Sequence, residues 1–506
     1  MSTTPRVRTR YAPSPTGRQH VGGARSALFP WLWARHNKGD FLLRIEDTDQ
    51  TRFREDALQD LFETFEWLGL DFDEGPDGPD APPNEFFQTQ RKARYQEITD
   101  KLIELGAAYY AYERAEDLEA RRIKLKALKL PTAYDRASRF LTDEERAAAE
   151  AACRAEGRVP VVRFAVPLTG QTTVNDAIRG EWTVDNSKLE DLILLKSDGL
   201  PTYHLAHIVD DHDMRISHVM RGVEYIPTAP MHVLIHQALG WTPPIYAHLP
   251  LILDPSGKGK MSKRKQLDDG TIIEYMTMVH EFREAGYLPE AMINYLGLLG
   301  WSVGPDHDIA SREEMIEKFD IADIKKSHAA FNYEKLLFMN GHYMRQLAVE
   351  DLAERVAPFL EAAGLPANRE RLIEVLPLVQ ERMKLLAEAP ELLDFFLADA
   401  PLPNIEDLPG KKKKKKKMSI EETIASLEAS QAALADCEWT HDGIEQALRS
   451  KSKESGIKAG QLFYPLRVAI TGRKQAPGII DTVYHIDRET VLARIERAIG
   501  LLRESA

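Results

Sequence analysis

The chain has 506 residues, of which 43% are hydrophobic, and its 79 acidic and 66 basic side chains give a formal net charge of -13. This length predicts two or more domains, while the lack of a bilayer-length apolar run and of an N-terminal secretory segment argues against a membrane or exported protein. The two cysteines, Cys153 and Cys437, are scarce and far apart, which fits a reducing cytoplasm and predicts no zinc site.

The first elements predict a nucleotide-binding fold. Residues 6–12 and 39–47 are predicted strands, and residues 20–37 form the helix between them, after prolines and a glycine within 13–17 end the first strand. In a doubly wound sheet, ligands bind at the carboxyl ends of strands, where a helix N-terminus faces phosphate. His20-Val21-Gly22-Gly23 stands at this turn, and its glycines allow a nucleotide to lie against backbone. Alone, this tetrapeptide more often marks a tight turn with an ordinary histidine.

A second region predicts an insertion within that fold. Apolar residues at helical spacing predict a helix that ends at Gly106, and residues 110–196 then change to charged helices followed by short strands. Strands are predicted to resume at 204–209, 217–222 and 245–253. The insertion therefore splits the nucleotide-binding domain.

The chemically most pointed segment is Lys260-Met261-Ser262-Lys263-Arg264, which follows the last predicted strand in a Gly/Lys loop. Mobile ammonium groups on such a loop suit a polyphosphate, because they stabilise charge that develops when pyrophosphate leaves. Lys263 is predicted to make the main phosphate contact, with Lys260 in support. A basic run is more often a solvated face, but the preceding strand favours a loop at a strand end.

The remaining chain is predicted to be helical. Residues 272–341 have apolar helical stretches, and from about Leu347 nearly all of the sequence is amphipathic, as at Val491, Ile495 and Ile499. The homopolymer of residues 411–417 follows prolines and a glycine and predicts an exposed interdomain loop. It contacts RNA phosphates or is an incidental solubilising insertion, and we favour the latter. The acidic balance does not exclude a nucleic-acid partner, because binding depends on where basic residues cluster.

Together the two motifs resemble the HIGH and KMSKS signatures of class I aminoacyl-tRNA synthetases. The octapeptide of residues 10–17 narrows the resemblance to the glutamyl/glutaminyl subgroup. The resemblance extends over nearly the whole chain and is closest to the bacterial glutamyl enzymes. A helical C-terminal part is typical of the glutamyl enzymes, whereas glutaminyl enzymes carry β-barrels. Truncated relatives that glutamylate a modified tRNA base lack the anticodon module.

The resemblance implies an α/β fold: a split Rossmann-like nucleotide-binding domain with an inserted acceptor-binding module, followed by all-helical stem-contact and anticodon-binding domains. The predicted segments are 1–109 and 201–265 for the two catalytic halves, 110–200 for the insertion, 266–346 for the stem-contact domain and 347–506 for the anticodon-binding domains.

The implied reaction is ATP-dependent ligation of L-glutamate to tRNA(Glu) through a glutamyl-adenylate, with Mg²⁺ arriving with ATP, in a cytoplasmic and monomeric enzyme. One alternative is a non-discriminating enzyme that also glutamylates tRNA(Gln). Two more distant ones are a nucleotidyltransferase that adenylates a small acid and a non-catalytic tRNA-binding paralogue. The retained His20, Lys263 and long helical extension argue against both distant alternatives.

The resemblance also assigns site residues. The catalytic set is His20, Lys260 and Lys263. The ATP set is Ser14, His20, Gly22, Gly23, Glu224, Lys260, Ser262, Lys263 and Arg264. The glutamate set is Arg10, Ala12, Ser14, Glu46, Tyr203, His207 and Arg221, in which Arg10 faces the γ-carboxylate because guanidinium pairs well with carboxylate, and Glu46 accepts the α-ammonium. If Arg10 and Glu46 do not bind glutamate, each is expected to form a structural ion pair. Arg382 resembles a position that carries Arg in discriminating relatives, where it reads an anticodon base. The alternative is that Arg382 is an ordinary surface arginine.

Departures from the family pattern are visible at three places. His207 stands where relatives commonly have Asn. Residues 109–112 replace the cysteines that bind zinc in some relatives. The acidic run of residues 210–213 is irregular for a metal site and is interpreted as fold-related, so no protein metal site is predicted.

Overall fold

The structure is a computed structural model that describes residues 6–79, 82–266, 272–410 and 417–505. The chain divides into two compact units. One comprises Met1–Phe282 and Met292–Tyr333, and the other comprises Arg283–Ala291 and Glu334–Ala506. The predicted loop of residues 411–417 lies outside the described residues except for Lys417. None of the helices in the described ranges combines the length and apolar character needed to cross a bilayer.

The strands of the described chain are short. They are β1 (Arg8–Tyr11), β2 (Asp40–Leu43), β3 (Ala108–Ala111), β4 (Val161–Phe164), β5 (Gln171–Asp176), β6 (Gly180–Asp185), β7 (Ile193–Leu195), β8 (His218–Gly222), β9 (Ile245–Leu249), β10 (Ile252–Leu253), β11 (Arg264–Gln266), β12 (Ile272–Glu274) and β13 (Ala329–Ala330).

The helices of the described chain alternate with these strands and then continue alone. They are α1 (Val21–His36), α2 (Glu55–Leu68), α3 (Lys92–Glu104), α4 (Ala115–Ala127), α5 (Asp143–Ala155), α6 (Tyr203–Asp213), α7 (Ala229–Leu239), α8 (Val279–Glu284), α9 (Pro289–Leu298), α10 (Arg312–Lys318), α11 (Tyr333–Gln346), α12 (Val349–Ala362), α13 (Arg369–Val375), α14 (Ala389–Leu397), α15 (Ile420–Ala435), α16 (His441–Ser455), α17 (Ala459–Thr471), α18 (Ile479–His485) and α19 (Arg488–Glu504).

Parallel strand pairs form the framework of the nucleotide-binding fold. β1 pairs with β2, and β8 pairs with β9, both in parallel. The backbone N–H of Ser217 donates to the carbonyl of Arg8 at 2.9 Å, so the two pairs meet at this point. α1 connects β1 to β2 as predicted, and it continues through Pro30. The carboxyl ends of β1 and β2 therefore open on the same side.

The region predicted as an insertion contributes to two different sheets. β3, β4 and β7 form an antiparallel sheet of their own. The hairpin of β5 and β6 instead extends the sheet of β8 and β9, with Asp176 paired to Tyr246 in parallel. The five-segment division made from the sequence remains a prediction.

Two expectations for secondary structure were wrong. Residues 204–209 form part of helix α6 and not a strand. A six-residue apolar run cannot by itself separate a strand from a buried helix, and here Leu205, Ile208 and Val209 face one core together. The region 272–341 is also mixed, because it contains the short strands β12 and β13 among its helices.

The second unit is built from packed helices. The stripe predicted near the C-terminus lies on α19, where Val491, Ile495 and Leu502 are fully buried. Their common face packs in one hydrophobic core with side chains of α12 to α17. Amphipathic periodicity was sufficient to predict these helices because each buries a single face.

Candidate active site

A cavity of about 580 Å³ opens at the carboxyl ends of β1, β2 and β8. It brings together residues distant in sequence that had been predicted to act jointly. The predicted residues that line it are Arg10, Ala12, Ser14, His20, Gly22, Gly23, Glu46, Tyr203, Arg221, Glu224 and Lys260. The other predicted residues of this region, which are His207, Ser262, Lys263 and Arg264, do not line it.

His20 caps the start of α1. Its backbone is extended, and its Nδ1 accepts a hydrogen bond from the Gly22 N–H at 2.9 Å. Burial lowers the pKa of His20, and the charge of Lys260 lowers it further, against an opposing effect of Glu281. The ring is therefore neutral with Nδ1 as acceptor, so its proton resides on Nε2. This end of α1 combines a ring N–H donor with the positive end of the helix dipole.

The Lys-rich loop places its cations unequally. Lys260 lines the cavity. Lys263 is half-exposed, and its Nζ donates to Glu281 Oε1 at 3.1 Å. Ser262 Oγ donates to the carbonyl of Arg264, whose guanidinium pairs with Glu274. In this structure Lys263 is therefore held outside the cavity by a carboxylate.

A short segment links the two motifs. The N–H of Val21 donates to the carbonyl of Thr277, and the N–H of Val279 donates to the carbonyl of Gln19. Glu281 Oε2 accepts from the backbone of Thr277 at 2.7 Å. The carboxylate that holds Lys263 is thus anchored to the backbone that supports the start of α1.

Glu46 follows β2 and lies at the cavity floor. Its N–H donates to the carbonyl of Pro13 at 2.9 Å, and its carboxylate accepts from Arg44 Nη2 at 3.2 Å. Burial raises the pKa of Glu46 to about 7, although Arg44 and Arg10 oppose the shift. A cationic ligand group at this carboxylate would favour its ionised form.

Arg10 is not paired with Glu46 in the structure. Its Nε and Nη2 donate to the carboxylate of Asp211 at 3.1 and 3.4 Å, and Arg44 donates to the same carboxylate at 2.8 Å. Burial alone would raise the pKa of Asp211, but the two guanidinium groups hold it well below its usual range. Asp211 fixes the guanidinium of Arg10, which still lines the cavity.

The rest of the acidic run also binds arginines. Asp210 accepts from Arg91 Nε at 2.7 Å, and Asp213 pairs with both Arg91 and Arg94. His212 stacks on Trp241. These contacts agree with the fold-related interpretation of residues 210–213.

We expect Asp211→Asn to lower the free energy of unfolding by about 3–5 kcal/mol, because it leaves two buried guanidinium groups without their shared counterion. Urea denaturation followed by tryptophan fluorescence measures this change. Asp213→Asn is the matched control, since that carboxylate is partly exposed and its loss should cost about 1 kcal/mol or less. Equal effects of the two variants would contradict the argument.

Arg221 also lines the cavity. The guanidinium donates to Tyr203 Oη at 3.0 Å. His207 stacks on the Tyr203 ring with centroids 4.4 Å apart, and its Nε2 lies 3.4 Å from Arg221 Nη1. His207 therefore contacts Tyr203 and Arg221, the two predicted ligand-binding side chains.

Arg382 lies in the other unit, on the exposed turn after α13. Its Nη1 donates to the carbonyl of Ala476 at 2.8 Å. Burial lowers the pKa of the neighbouring Arg467, and the charge of Arg382 lowers it further. The two guanidinium groups thus create a cationic surface.

Some lining residues were missed by the sequence analysis, among them Arg18, Gln19, Arg25 and Tyr225. Arg25 is buried and donates to the carbonyls of Leu299 and Pro250. The available signal was an arginine one turn into an apolar helix, two residues after Gly23. Among the residues that the structure describes, no three His, Cys, Asp or Glu side chains form a metal-binding group.

The fold and this geometry can be compared with known proteins. Residues 6–338 match the family model of the class I tRNA synthetase catalytic domain for E and Q, and residues 351–499 match an anticodon binding domain. Glutamate–tRNA ligases of Roseiflexus sp. and Dehalococcoides mccartyi are each 44% identical over 99% of this chain, and 97% and 99% of their own lengths are covered. This chain belongs to the glutamate–tRNA ligase family.

Solved structures of this family have the same architecture. The crystal structure of a glutamate tRNA ligase from Elizabethkingia meningosepticum in complex with its amino acid has a TM-score of 0.84 and 33% identity, over 98% of this chain and 100% of that one. Glutamate-tRNA synthetase of Elizabethkingia anophelis gives a TM-score of 0.82 at 32% identity, with the same coverage of both chains.

These findings confirm the predicted family, the α/β class I catalytic domain with a helical anticodon domain, and the enzyme class. Aminoacyl-tRNA synthetases in general use ATP and Mg²⁺.

Proposed function

We propose that this ligase joins L-glutamate to tRNA(Glu) in two steps. A glutamate α-carboxylate oxygen attacks the α-phosphorus of ATP, and pyrophosphate leaves. A terminal ribose hydroxyl of the tRNA then attacks the acyl carbon of glutamyl-adenylate, and AMP leaves. Neither step needs a protein nucleophile, so the protein orients reactants and stabilises charge. The observation that carries the proposal is a single cavity that is lined by residues suited to phosphate, such as His20 and Lys260, and by charged residues suited to an amino acid, such as Arg10 and Glu46.

Charge complementarity supports the glutamate roles. Arg10, fixed by Asp211, binds the γ-carboxylate with its remaining N–H groups. Glu46 accepts the α-ammonium. Arg221 and Tyr203, which also line the cavity, make further contacts with glutamate. Ala12 and Ser14 line the space between these charges and the ATP residues.

The ATP roles follow from the two motifs. His20 Nε2 donates to a phosphate oxygen, while Gly22 and Gly23 let the nucleoside lie on the first turn of α1. Lys260 and Lys263 bind the departing pyrophosphate, with Ser262 and Arg264 shaping the loop and Glu224 facing the nucleoside. The set is completed by Ser14. Mg²⁺ enters with ATP, whose phosphate oxygens are the ligands it prefers.

The remaining roles concern the tRNA and the setting. We propose that the module within residues 110–200 binds the acceptor end, residues 266–346 contact the stem, and Arg382 reads an anticodon base and favours tRNA(Glu). We also propose that the enzyme is a monomer. The sequence contains only two cysteines, and this scarcity supports a cytoplasmic location.

The deciding experiment measures charging of purified tRNA(Glu) and tRNA(Gln) with labelled glutamate and, separately, labelled glutamine, with ATP and Mg²⁺. We expect glutamate on tRNA(Glu) alone. Glutamate on both tRNAs would overturn the discriminating role of Arg382, and glutamine charging or no charging would overturn the substrate assignment.

Gly23→Ala tests the nucleoside position. A Cβ at Gly23 would lie 2.8 Å from Tyr11 Oη and 3.2 Å from Gln19 Oε1, so these two side chains, which line the cavity, must shift. Overpacking of about 1.4 kcal/mol corresponds to a tenfold effect, and we expect KM for ATP to rise about tenfold. Gly17→Ala is the matched control, because it also lines the cavity but its Cβ would meet nothing within 4 Å. A similar KM in both variants would contradict the placement.

A further inference from the structure

Arg221 is a buried cation with unusual partners. Arg221 is only 5% exposed. Within the described part of the chain, no carboxylate forms an ion pair with it, although a buried guanidinium normally requires one. Its hydrogen-bond acceptors are instead the Tyr203 hydroxyl and the nitrogens of three imidazoles.

The imidazole nitrogens define the protonation of the cluster. Arg221 Nε donates to His248 Nε2 at 3.1 Å, and Nη2 lies 3.0 Å from His232 Nδ1. A protonated imidazole has no acceptor nitrogen, so each of these rings is neutral. Burial lowers the pKa of His232 and of His248, and the charge of Arg221 contributes in both cases.

Asp176 determines which nitrogen of His248 carries the proton. Its Oδ2 lies 2.6 Å from His248 Nδ1 and also accepts the His248 backbone N–H at 2.9 Å. Its Oδ1 accepts from the backbone of Ile178 and Arg179. The carboxylate is therefore held on both sides, so Nδ1 of His248 must be the donor and Nε2 remains an acceptor for Arg221.

These bonds leave Arg221 with a defined capacity for a ligand. Nε is used by His248, both Nη1 hydrogens face Tyr203 and His207, and one Nη2 hydrogen faces His232. One Nη2 hydrogen remains. Tyr203 Oη accepts from Arg221, so its own proton is also available. Two donors on one wall of the cavity match the two oxygens of a carboxylate.

We propose that Asp176 and His248 are positioning residues for substrate carboxylate binding: the Asp176–His248 pair sets the orientation of Arg221, and Arg221 then binds a carboxylate of the amino acid. Neither Asp176 nor His248 lines the cavity. Asp176 is contributed by the β5–β6 hairpin, which thereby acts on the active site through the sheet. The inference rests on the proposed function, because that function supplies the carboxylate.

Asp176→Asn is the first test. An amide cannot accept hydrogen bonds on both sides, so an N–H group must face one set of donors, and the proton of His248 can move to Nε2. In an Asp–His pair of a serine protease, the corresponding exchange preserves geometry but permits the wrong tautomer. We expect KM for glutamate to rise at least about tenfold, which corresponds to about 1.4 kcal/mol, while KM for ATP stays within about twofold.

His248 variants provide rescue and a control. His248→Leu removes the acceptor, and His248→Gln restores an acceptor oxygen near Nε2, so we expect KM for glutamate to increase in the order wild type, Gln, Leu. His236→Gln is the matched control, because His236 is a buried histidine of α7 that bonds to the backbone of His232 and not to Arg221. If the Leu variant does not fold, Asp176→Asn and His248→Gln still give the comparison.

Competition by two glutamate amides identifies the affected carboxylate. Wild type should prefer glutamate over both the α-amide and the γ-amide, glutamine. In Asp176→Asn and His248→Leu the preference over one of the two amides should fall about tenfold, which identifies the carboxylate that Arg221 binds, whereas the preference over the other should stay within about twofold.

The outcomes separate this inference from the proposed function. A wild-type enzyme that does not charge tRNA with glutamate refutes the function. A wild-type enzyme that charges normally, with variants that keep both preferences or that raise KM for ATP and glutamate in parallel, overturns the positioning role.

Discussion

Lys263→Met is expected to lower the rate constant of glutamyl-adenylate formation about 10²- to 10³-fold, with a much smaller change in KM for ATP. The magnitude is that of removing one donor that stabilises transition-state charge. Lys263 is paired with Glu281, so it gains a phosphate partner only by leaving that carboxylate. An interaction made in the transition state and not in the ground state affects kcat more than KM.

Lys258→Met is the matched control for this prediction, because Lys258 is an exposed lysine of the same loop that does not line the cavity. Pyrophosphate exchange in the presence of tRNA measures both variants. A Lys263 variant with a near wild-type rate, beside a Lys260 variant that has lost activity, would transfer the phosphate role to Lys260.

Glutamate binding is expected to strengthen about tenfold between pH 6 and pH 8. Burial raises the pKa of Glu46 to about 7, above its ordinary value, so the protonated form persists up to neutral pH. The α-ammonium selects the ionised form, and binding is therefore weakened below pH 7 and reaches a plateau above it. Calorimetry in two buffers should also detect release of a proton at pH 7.

Glu46→Gln is expected to raise KM for glutamate about 10²-fold or more, because removing one partner of a buried ion pair costs about 3–5 kcal/mol. It should also abolish the pH dependence. Asp49→Asn is the control, since Asp49 lies three residues later and is partly exposed. A pH dependence retained in Glu46→Gln would assign the titration to another group.

The sequence predicted those parts of the site that are contiguous in it. His20 and its glycines stand at the start of a helix after a strand, and local turn chemistry is enough to place them there. The Lys-rich loop was similarly marked by its composition. In both cases the chemistry is carried within a few residues of the element that positions it.

Contacts that depend on tertiary structure were not predictable in the same way. No local pattern pairs Arg10 with Asp211 or Asp176 with His248, because each pair is formed by elements far apart in the chain. The error at residues 204–209 has a related cause. Its apolar residues suit a strand as well as a helix, and only the core against which they pack decides between them.

The shared counterion of Arg10 and Arg44 also bears on how the protein is synthesised. Asp211 is 201 residues from Arg10 and 167 from Arg44, so a chain emerging from the ribosome carries both arginines without their shared counterion, and of the two only Arg44 has a nearby partner, Glu46. The first β-α-β unit therefore lacks the buried ion pair of Arg10 until α6 has been made, and the sheet of β3, β4 and β7 intervenes as a locally closed structure. Long sequence separation slows folding through loop-closure entropy, which makes docking of α6 the event that commits the nascent domain to its native fold.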